Sequence, residues 1–316
     1  MPMEIVELTR KEFDLIFRNS GYVFSGSDFN ELNKYKVDSL LYLGLKEKKY
    51  RFGVCFGKRE NKLFCPFSAP YATFVKIKDK VNVQHIYHAV RSLDEYCKEK
   101  KIEYVRFILP PACLEERDIA VFINAFCLYG YEVEQRDLNF HLDMKRVYSD
   151  SYASNLPYNG RKNLKIALKS GLELMLCTNR KQQKEAYNII KVNRENKNRP
   201  LRMEFQQILE TMEVVKADIF EVKNADEGIA AAFVFWLNER SVRVIYWGDI
   251  PGHSEKKPIN FLAYQLIQYY GKQGVEIIDI GISTENSVPN MGLCDFKESI
   301  GCDISLSYTV GKNYRM

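Results

Sequence analysis

The sequence predicts two tandem α/β domains, each a mixed sheet flanked by helices. Three observations carry that prediction. A strand–helix–strand unit stands near the C-terminal end, the first half repeats its pattern, and a polar, proline-bearing stretch separates the two.

In the first half, 39–45, 50–56 and 62–64 read as antiparallel strands ahead of an amphipathic helix over 82–100. In the second half, 218–223, 228–237 and 241–247 take that part, with "KNAD" and "LNER" as hairpin turns and helices at 181–196 and 203–215 before them. After the β-branched and aromatic run Val242 to Trp247, "GDIPG" forces a turn, and Pro258 suits the first turn of a helix. Ile259, Leu262, Ala263, Leu266, Ile267 and Tyr270 then share one apolar face, and Gly274 ends the helix. Val275 to Ile282 is the next strand, so the strands on either side of this helix should run parallel.

An ungapped shift of 173 residues lays Ile86, Ala89, Val90 and Leu93 on Ile259, Leu262, Ala263 and Leu266. It also lays Ile102 to Val105 on Val275 to Ile278, and "GYEV" at 130–133 echoes "GCDI" at 301–304. One α/β unit is used twice. The break lies in "YSDSYASNLPYNG", which sets the domains at 1–148 and 149–316.

Length agrees, since 316 residues suit two cores of about 150 residues better than one. A composition of 46% hydrophobic and 28% charged residues is ordinary for a globular chain. No apolar run reaches the roughly 18 residues of a membrane span, and the first ten residues carry no secretory signal, so no integral membrane segment and a cytoplasmic location are expected. Eight scattered cysteines without a C-x-x-C pair suit reduced thiols. His85 and His88 lack acidic or thiol partners at ligand spacing, so no metal is expected, and nothing in the pattern points to DNA.

Charge is uneven. Arg161 to Arg202 holds twelve Lys/Arg and three Glu, a local net charge of +9 in a chain of +5, so the remainder sums to −4. Such a band suits an anionic partner, and solvated helix faces are the alternative.

The order of "NGRKNLKIALKSGL", "GIAAAFVFWLNERSVRVIYWGD", "NFLAYQLIQYYGKQGVEIIDIG" and "GLCDFKESIG" resembles the GNAT acyltransferase superfamily. Within it, the order is similar to the tandem-GNAT, Fem-type (FemAB/FemX-like) transferases that add amino acids to peptidoglycan precursors. "PFSAPYATF" at 66–74 is similar to a first-domain loop of that group. The resemblance implies a donor entering where the fourth and fifth strands part, its phosphates at the following helix N-terminus. In CoA-dependent members that loop reads Q/R-x-x-G-x-G/A. Here Ser254 to Asn260 contains no glycine, and Pro258 removes one N–H donor.

Acyl transfer to an amine needs aligned reactants, a route for the amine proton and donors facing the developing oxyanion. No Ser-His-Asp or Cys-His spacing is present, so direct attack is expected. Asp249 and Asp279 are the catalytic candidates, with a buried ion pair as the other reading of Asp279. Lys297 can bind phosphate or stabilise negative charge, and Tyr246 and Trp247 can wall the cleft or pack in the core. Lys257, Asn260 and Ser283 complete the expected lining. Tyr71 and Thr73 are candidate acceptor contacts, and Arg161, Lys162 and Lys165 can meet a phosphate or simply face solvent.

The sequence thus indicates an acyl- or aminoacyltransferase acting on an amine of a cell-envelope precursor, either peptidoglycan or surface polysaccharide. Acyl-CoA and aminoacyl-tRNA remain the two possible co-substrates, and the acceptor is a small molecule or a lipid- or nucleotide-linked one. Two alternatives stand beside this reading. One is an acetyl-CoA-dependent N-acetyltransferase for a small amine or amino sugar. The other is a degenerate, non-catalytic pair serving as a binding module.

Overall fold

The computed structural model describes residues 3–18, 21–77 and 81–314. Contacts divide them into two compact units, and each is described on its own. The first half runs β1 (Glu4–Leu8), α1 (Arg10–Phe17), α2 (Ser27–Leu32), β2 (Ser39–Lys46), β3 (Tyr50–Arg59) and β4 (Lys62–Cys65). It continues with α3 (Val83–Glu99), β5 (Tyr104–Ile108), α4 (Ala112–Leu128) and β6 (Glu132–Asp143). The second half opens with α5 (Tyr158–Lys169), β7 (Leu172–Leu176), α6 (Arg180–Asn196), α7 (Phe205–Met212), β8 (Ala217–Asn224) and β9 (Glu227–Trp236). It closes with β10 (Ser241–Asp249), α8 (Pro258–Gly271), β11 (Ile277–Ile282), α9 (Met291–Ser299) and β12 (Asp303–Asn313). From β1 and from β7 onward the two halves follow the same element order, as the 173-residue shift predicts, and α5 stands in front of the second copy without a counterpart in the first.

In unit 1 the strand order is β1-β2-β3-β4-β5-β12, antiparallel except for the parallel pair β4–β5. Its core is aromatic. Phe74 stacks on Phe107 and Phe122 at centroid distances of 5.6 and 5.4 Å, and Phe52, Phe56 and Phe126 are fully buried around them. In unit 2 the order is β7-β8-β9-β10-β11-β6, again with one parallel pair, β10–β11.

The last strand of each sequence repeat is exchanged. Residues Asn139–Asp143 of β6 pair with β11 in unit 2, and Thr309–Asn313 of β12 pair with β5 in unit 1. Compact units and sequence repeats therefore have different limits. Unit 1 takes 1–138, 286–288 and 305–316, whereas the sequence places the break between repeats near 148. A sequence shift detects repeated elements but not which strand edge each one joins.

In unit 2 neighbouring residues of one strand point to opposite faces of the sheet. Ile219 packs with Ile190 and Tyr187 of α6, while Phe220 meets Tyr269 and Tyr270 of α8 at 4.9 and 6.0 Å. The sheet thus lies between α6 and α8. Helix α5 packs on α8, so the basic segment from Arg161 to Arg202 is divided between opposite faces rather than forming one surface. The hairpin turns are where the sequence puts them. Ala225 takes a left-handed conformation in "KNAD", and the Asn238 side chain accepts from the Arg240 N–H in "LNER" at 2.8 Å. Among the described residues, no helix is long and apolar enough to cross a membrane.

Candidate active site

Strands β10 and β11 pair in parallel only over Ser241–Arg243 and Ile277–Asp279, and then they part. Two local irregularities of β11 coincide with the parting. Gly281 adopts φ +82°, a conformation that L side chains rarely take, and the β11–β6 register shifts between Asp279 and Gly281. Arg243 and Asp279 sit opposite each other in the last paired rung and form a buried ion pair there. Asp279 is 0% exposed and also accepts from the Asn139 side chain at 3.0 Å and the Gly281 N–H at 2.9 Å.

Beyond the fork β10 continues to Asp249 paired only with β9, and a cavity of about 400 Å³ lies on the side that β11 has left. Trp247, Gly248 and Asp249 form its β10 side, and Lys257 to Asn260 supply the entry of α8. Asn290, Leu293 and Phe296 come from the start of α9, and Lys197 and Arg199 follow α6. The indole of Trp247 meets Phe296 edge to face at 6.0 Å. The site therefore has an aromatic wall, one carboxylate and a cationic rim.

The entry to α8 explains its missing glycines. Ser254–Lys256 form a single tight turn, and Lys257 takes the left-handed conformation (φ 55°) that precedes Pro258 at the first helical position. The Phe261 N–H closes the first helical bond to the Lys257 carbonyl. The N–H groups of Ile259 and Asn260 precede that bond, and both residues line the cavity. Lys256 is committed elsewhere, donating to the Asn224 side chain at 2.7 Å.

Asp249 is held from behind. The Asn193 side-chain amide donates to its main-chain oxygen at 2.7 Å and to its carboxylate at 3.2 Å. A side chain at Gly248 would collide with Asn193, so the glycine admits the very group that positions its neighbour.

Lys297 lies just behind the cavity, 2% exposed, and donates to the carbonyls of Gly281 and Ile282 at 2.8 and 3.1 Å. Burial pushes its pKa down to about 8, against the opposing attraction of Cys302 and Asp279. Ser283 is buried beside it. Its carbonyl accepts from the Asn290 N–H at 2.8 Å, and its hydroxyl has no hydrogen-bond partner among the described residues.

Of the residues expected from sequence, Asp249, Trp247, Lys257 and Asn260 come together around the cavity. Asp279, Lys297 and Ser283 lie at or behind the fork and do not line it. Tyr246 points to the other face of the sheet, packing with the α6 cluster under the Arg194 guanidinium. Tyr71 is in the unit 1 core, edge to face with Tyr22 and Phe24. Thr73 is buried there too, its N–H donating to Ser25 at 3.2 Å. Arg161, Lys162 and Lys165 are exposed on α5 and take no part in the cavity lining. Asn193, Lys197, Arg199 and Phe296 were not singled out from sequence. The available signal was Gly248 inside a strand beside Asp249, which marks a close approach by another group. Among the described residues, no cluster of His, Cys, Asp or Glu has metal-holding geometry.

No protein-family model matches this chain, and no curated protein matches it. Solved structures do. FemX aligns with a TM-score of 0.70 at 13% identity over 98% of this chain and 97% of its own. L-PGS from Bacillus licheniformis aligns at 0.62 and 13%, covering 98% and 94% of the two chains. A tandem GNAT protein from the clavulanic acid biosynthesis pathway aligns at 0.52 and 7%, covering 99% of each. With the repeated element order and the forked parallel pair, these likenesses give the chain a Fem-like tandem GNAT fold.

Proposed function

We propose that this chain is an acyltransferase that moves an aminoacyl or acyl group onto an amine of a cell-envelope precursor in the cytoplasm. The observation that carries the reading is the fork cavity of unit 2, which Asp249 and the first turn of α8 line together. In this reading the donor's carbonyl carbon lies between Trp247 and Asn260. The acceptor amine attacks it directly, and Asp249 receives the proton that the amine must lose. The donor's carbonyl–oxygen (tRNA ester) or carbonyl–sulfur (CoA thioester) bond breaks as that proton passes on to the departing tRNA hydroxyl or CoA thiol. Lys297, through the Gly281 and Ile282 peptides it holds, places positive charge near the developing oxyanion. The rim cations Lys197, Arg199 and Lys257 suit a phosphate carried by the donor.

The α8 entry favours aminoacyl-tRNA over acyl-CoA as that donor. A loop with a left-handed lysine followed by proline offers fewer converging N–H groups for a pyrophosphate than a glycine turn does. FemX, which aligns over nearly the whole chain, supports the envelope side of the reading. Single-turnover assays with aminoacyl-tRNA and with acetyl-CoA, each against peptidoglycan-precursor amines, test it. Transfer from aminoacyl-tRNA that is lost in Asp249→Asn is the expected result. Transfer from acetyl-CoA alone would move the assignment to an N-acetyltransferase, and no transfer from either donor would favour a binding module.

A further inference from the structure

Helix α5 presents a face that the transfer reaction does not use. Its twelve residues, "YNGRKNLKIALK", contain four cations and no acid. Tyr158, Arg161, Lys162, Lys165, Leu168 and Lys169 fall at i, i+3, i+4, i+7, i+10 and i+11, which is one side of a helix about 18 Å long. All six are exposed, Tyr158 at 73% and Leu168 at 48%. Among the described residues, no ion pair engages any of the four cations. The opposite side of the helix is fixed to unit 2. Leu164 and Ala167 are buried, and a side chain at Gly160 would collide with the Ser299 carbonyl. The basic face is therefore held outward by packing on the other side.

We infer that this face docks the protein on an anionic lipid surface. Charge complementarity selects an anionic partner, and the pattern of side chains selects lipid. Clusters of four or more Lys/Arg on one helix side are attracted to acidic headgroups through diffuse charge, which suits three lysines and one arginine better than it suits forked recognition of single phosphates. Tyr158 is amphipathic and fits the headgroup level, as aromatic residues do at membrane interfaces. Leu168 decides the case. An aliphatic side chain gains nothing from a sugar–phosphate backbone, but gains on entering the headgroup–acyl boundary. An RNA would account for the cations and for stacking on Tyr158, and would leave Leu168 without a role. The inference is independent of the transfer chemistry and holds for a catalytic or a non-catalytic chain.

Vesicle co-sedimentation of the full chain is the test, with phosphatidylcholine alone and with phosphatidylcholine containing one-third phosphatidylglycerol. Binding to the mixed vesicles only, weakened by salt, is expected. Arg161→Glu/Lys162→Glu/Lys165→Glu should reduce it by about tenfold or more. Tyr158→Ser/Leu168→Ser should weaken binding while leaving its salt dependence in place. These residues are exposed, and an unchanged thermal melt establishes that each variant is folded. Equal binding to neutral vesicles, no binding to the mixed ones, or an unaffected triple variant would overturn the inference. So would a face that binds tRNA, loses it in the triple variant, and ignores both kinds of vesicle.

Discussion

Asn193 holds Asp249 by two hydrogen bonds from one amide, to the main-chain oxygen at 2.7 Å and to the carboxylate at 3.2 Å. Asn193 belongs to α6 and Asp249 ends β10, so a helix on one face of the sheet sets the rotamer of a side chain at the fork. If Asp249 accepts the amine proton as proposed, Asp249→Asn should lower the transfer rate by about 100-fold or more. Asn193→Ala leaves the carboxylate present but unheld, for which a loss of roughly 10- to 100-fold in kcat is expected. Steady-state kinetics on folded variants checks both. An Asn193→Ala effect confined to KM would assign the amide to substrate binding instead.

The Arg243–Asp279 pair makes the opposite prediction for the other candidate carboxylate. Asp279 is fully buried, and three groups already donate to it. Removing one member of a buried pair strands the other charge away from water. Asp279→Asn and Arg243→Met should therefore each cost ~3–5 kcal/mol of stability. Denaturant titration measures this directly. A stable Asp279→Asn variant that has lost transfer activity would restore a chemical role to Asp279.

Lys297 gives two pH trends of opposite sign. Its pKa is pushed down from 10.5 to about 8 by burial. If the ammonium assists transfer, the rate should fall as pH rises through about 8. Stability should move the other way. Between the two values the unfolded chain keeps a proton that the folded chain has released, so the Lys297 contribution to stability grows with pH over that window. Relative to Lys297→Met, wild type should gain on the order of 3 kcal/mol from the low to the high end. Parallel pH–rate profiles and pH-dependent melts separate the two trends. A flat rate profile through the window would limit Lys297 to holding the Gly281 and Ile282 carbonyls.

Legibility in the sequence followed the range of the forces involved. Local patterns gave the elements they named to within a few residues at each end, because the apolar face from Ile259 to Tyr270 and the turns at Ala225 and Asn238 depend on near neighbours. The repeat was visible for the same reason. Exchange of β6 and β12 was not, since the pairing of Val310 with Phe107 is decided by contacts made across the length of the chain. The same holds at the site. Asp249 and Asn260 could be placed because they flank predicted elements, whereas Asn193 reaches Asp249 from 56 positions away. Tyr246 and Trp247 are adjacent, and strand alternation sends one to each face. The sequence alone did not fix which of them faces the cavity.

Lys257 bears on the choice of donor. A left-handed lysine costs about 1–2 kcal/mol where glycine would cost far less, and the structure accepts that cost while Pro258 removes one N–H. Two free N–H groups and flexible lysine charges remain to meet a pyrophosphate, with Lys256 tied to Asn224. Free CoA should therefore bind weakly, in the high micromolar range or worse, which corresponds to roughly −5 to −6 kcal/mol. Lys257→Gly relieves the backbone strain and should raise the melting temperature, yet it should leave CoA binding weak, because Pro258 still withholds its donor. Calorimetric titration of wild type and Lys257→Gly with CoA and acetyl-CoA measures this. Sub-micromolar binding to wild type would mean that the Pro258 entry grips pyrophosphate without glycines, and would make acetyl-CoA the donor. Tight binding that appears only in Lys257→Gly would show that the residue at the left-handed position, rather than the proline after it, excludes CoA.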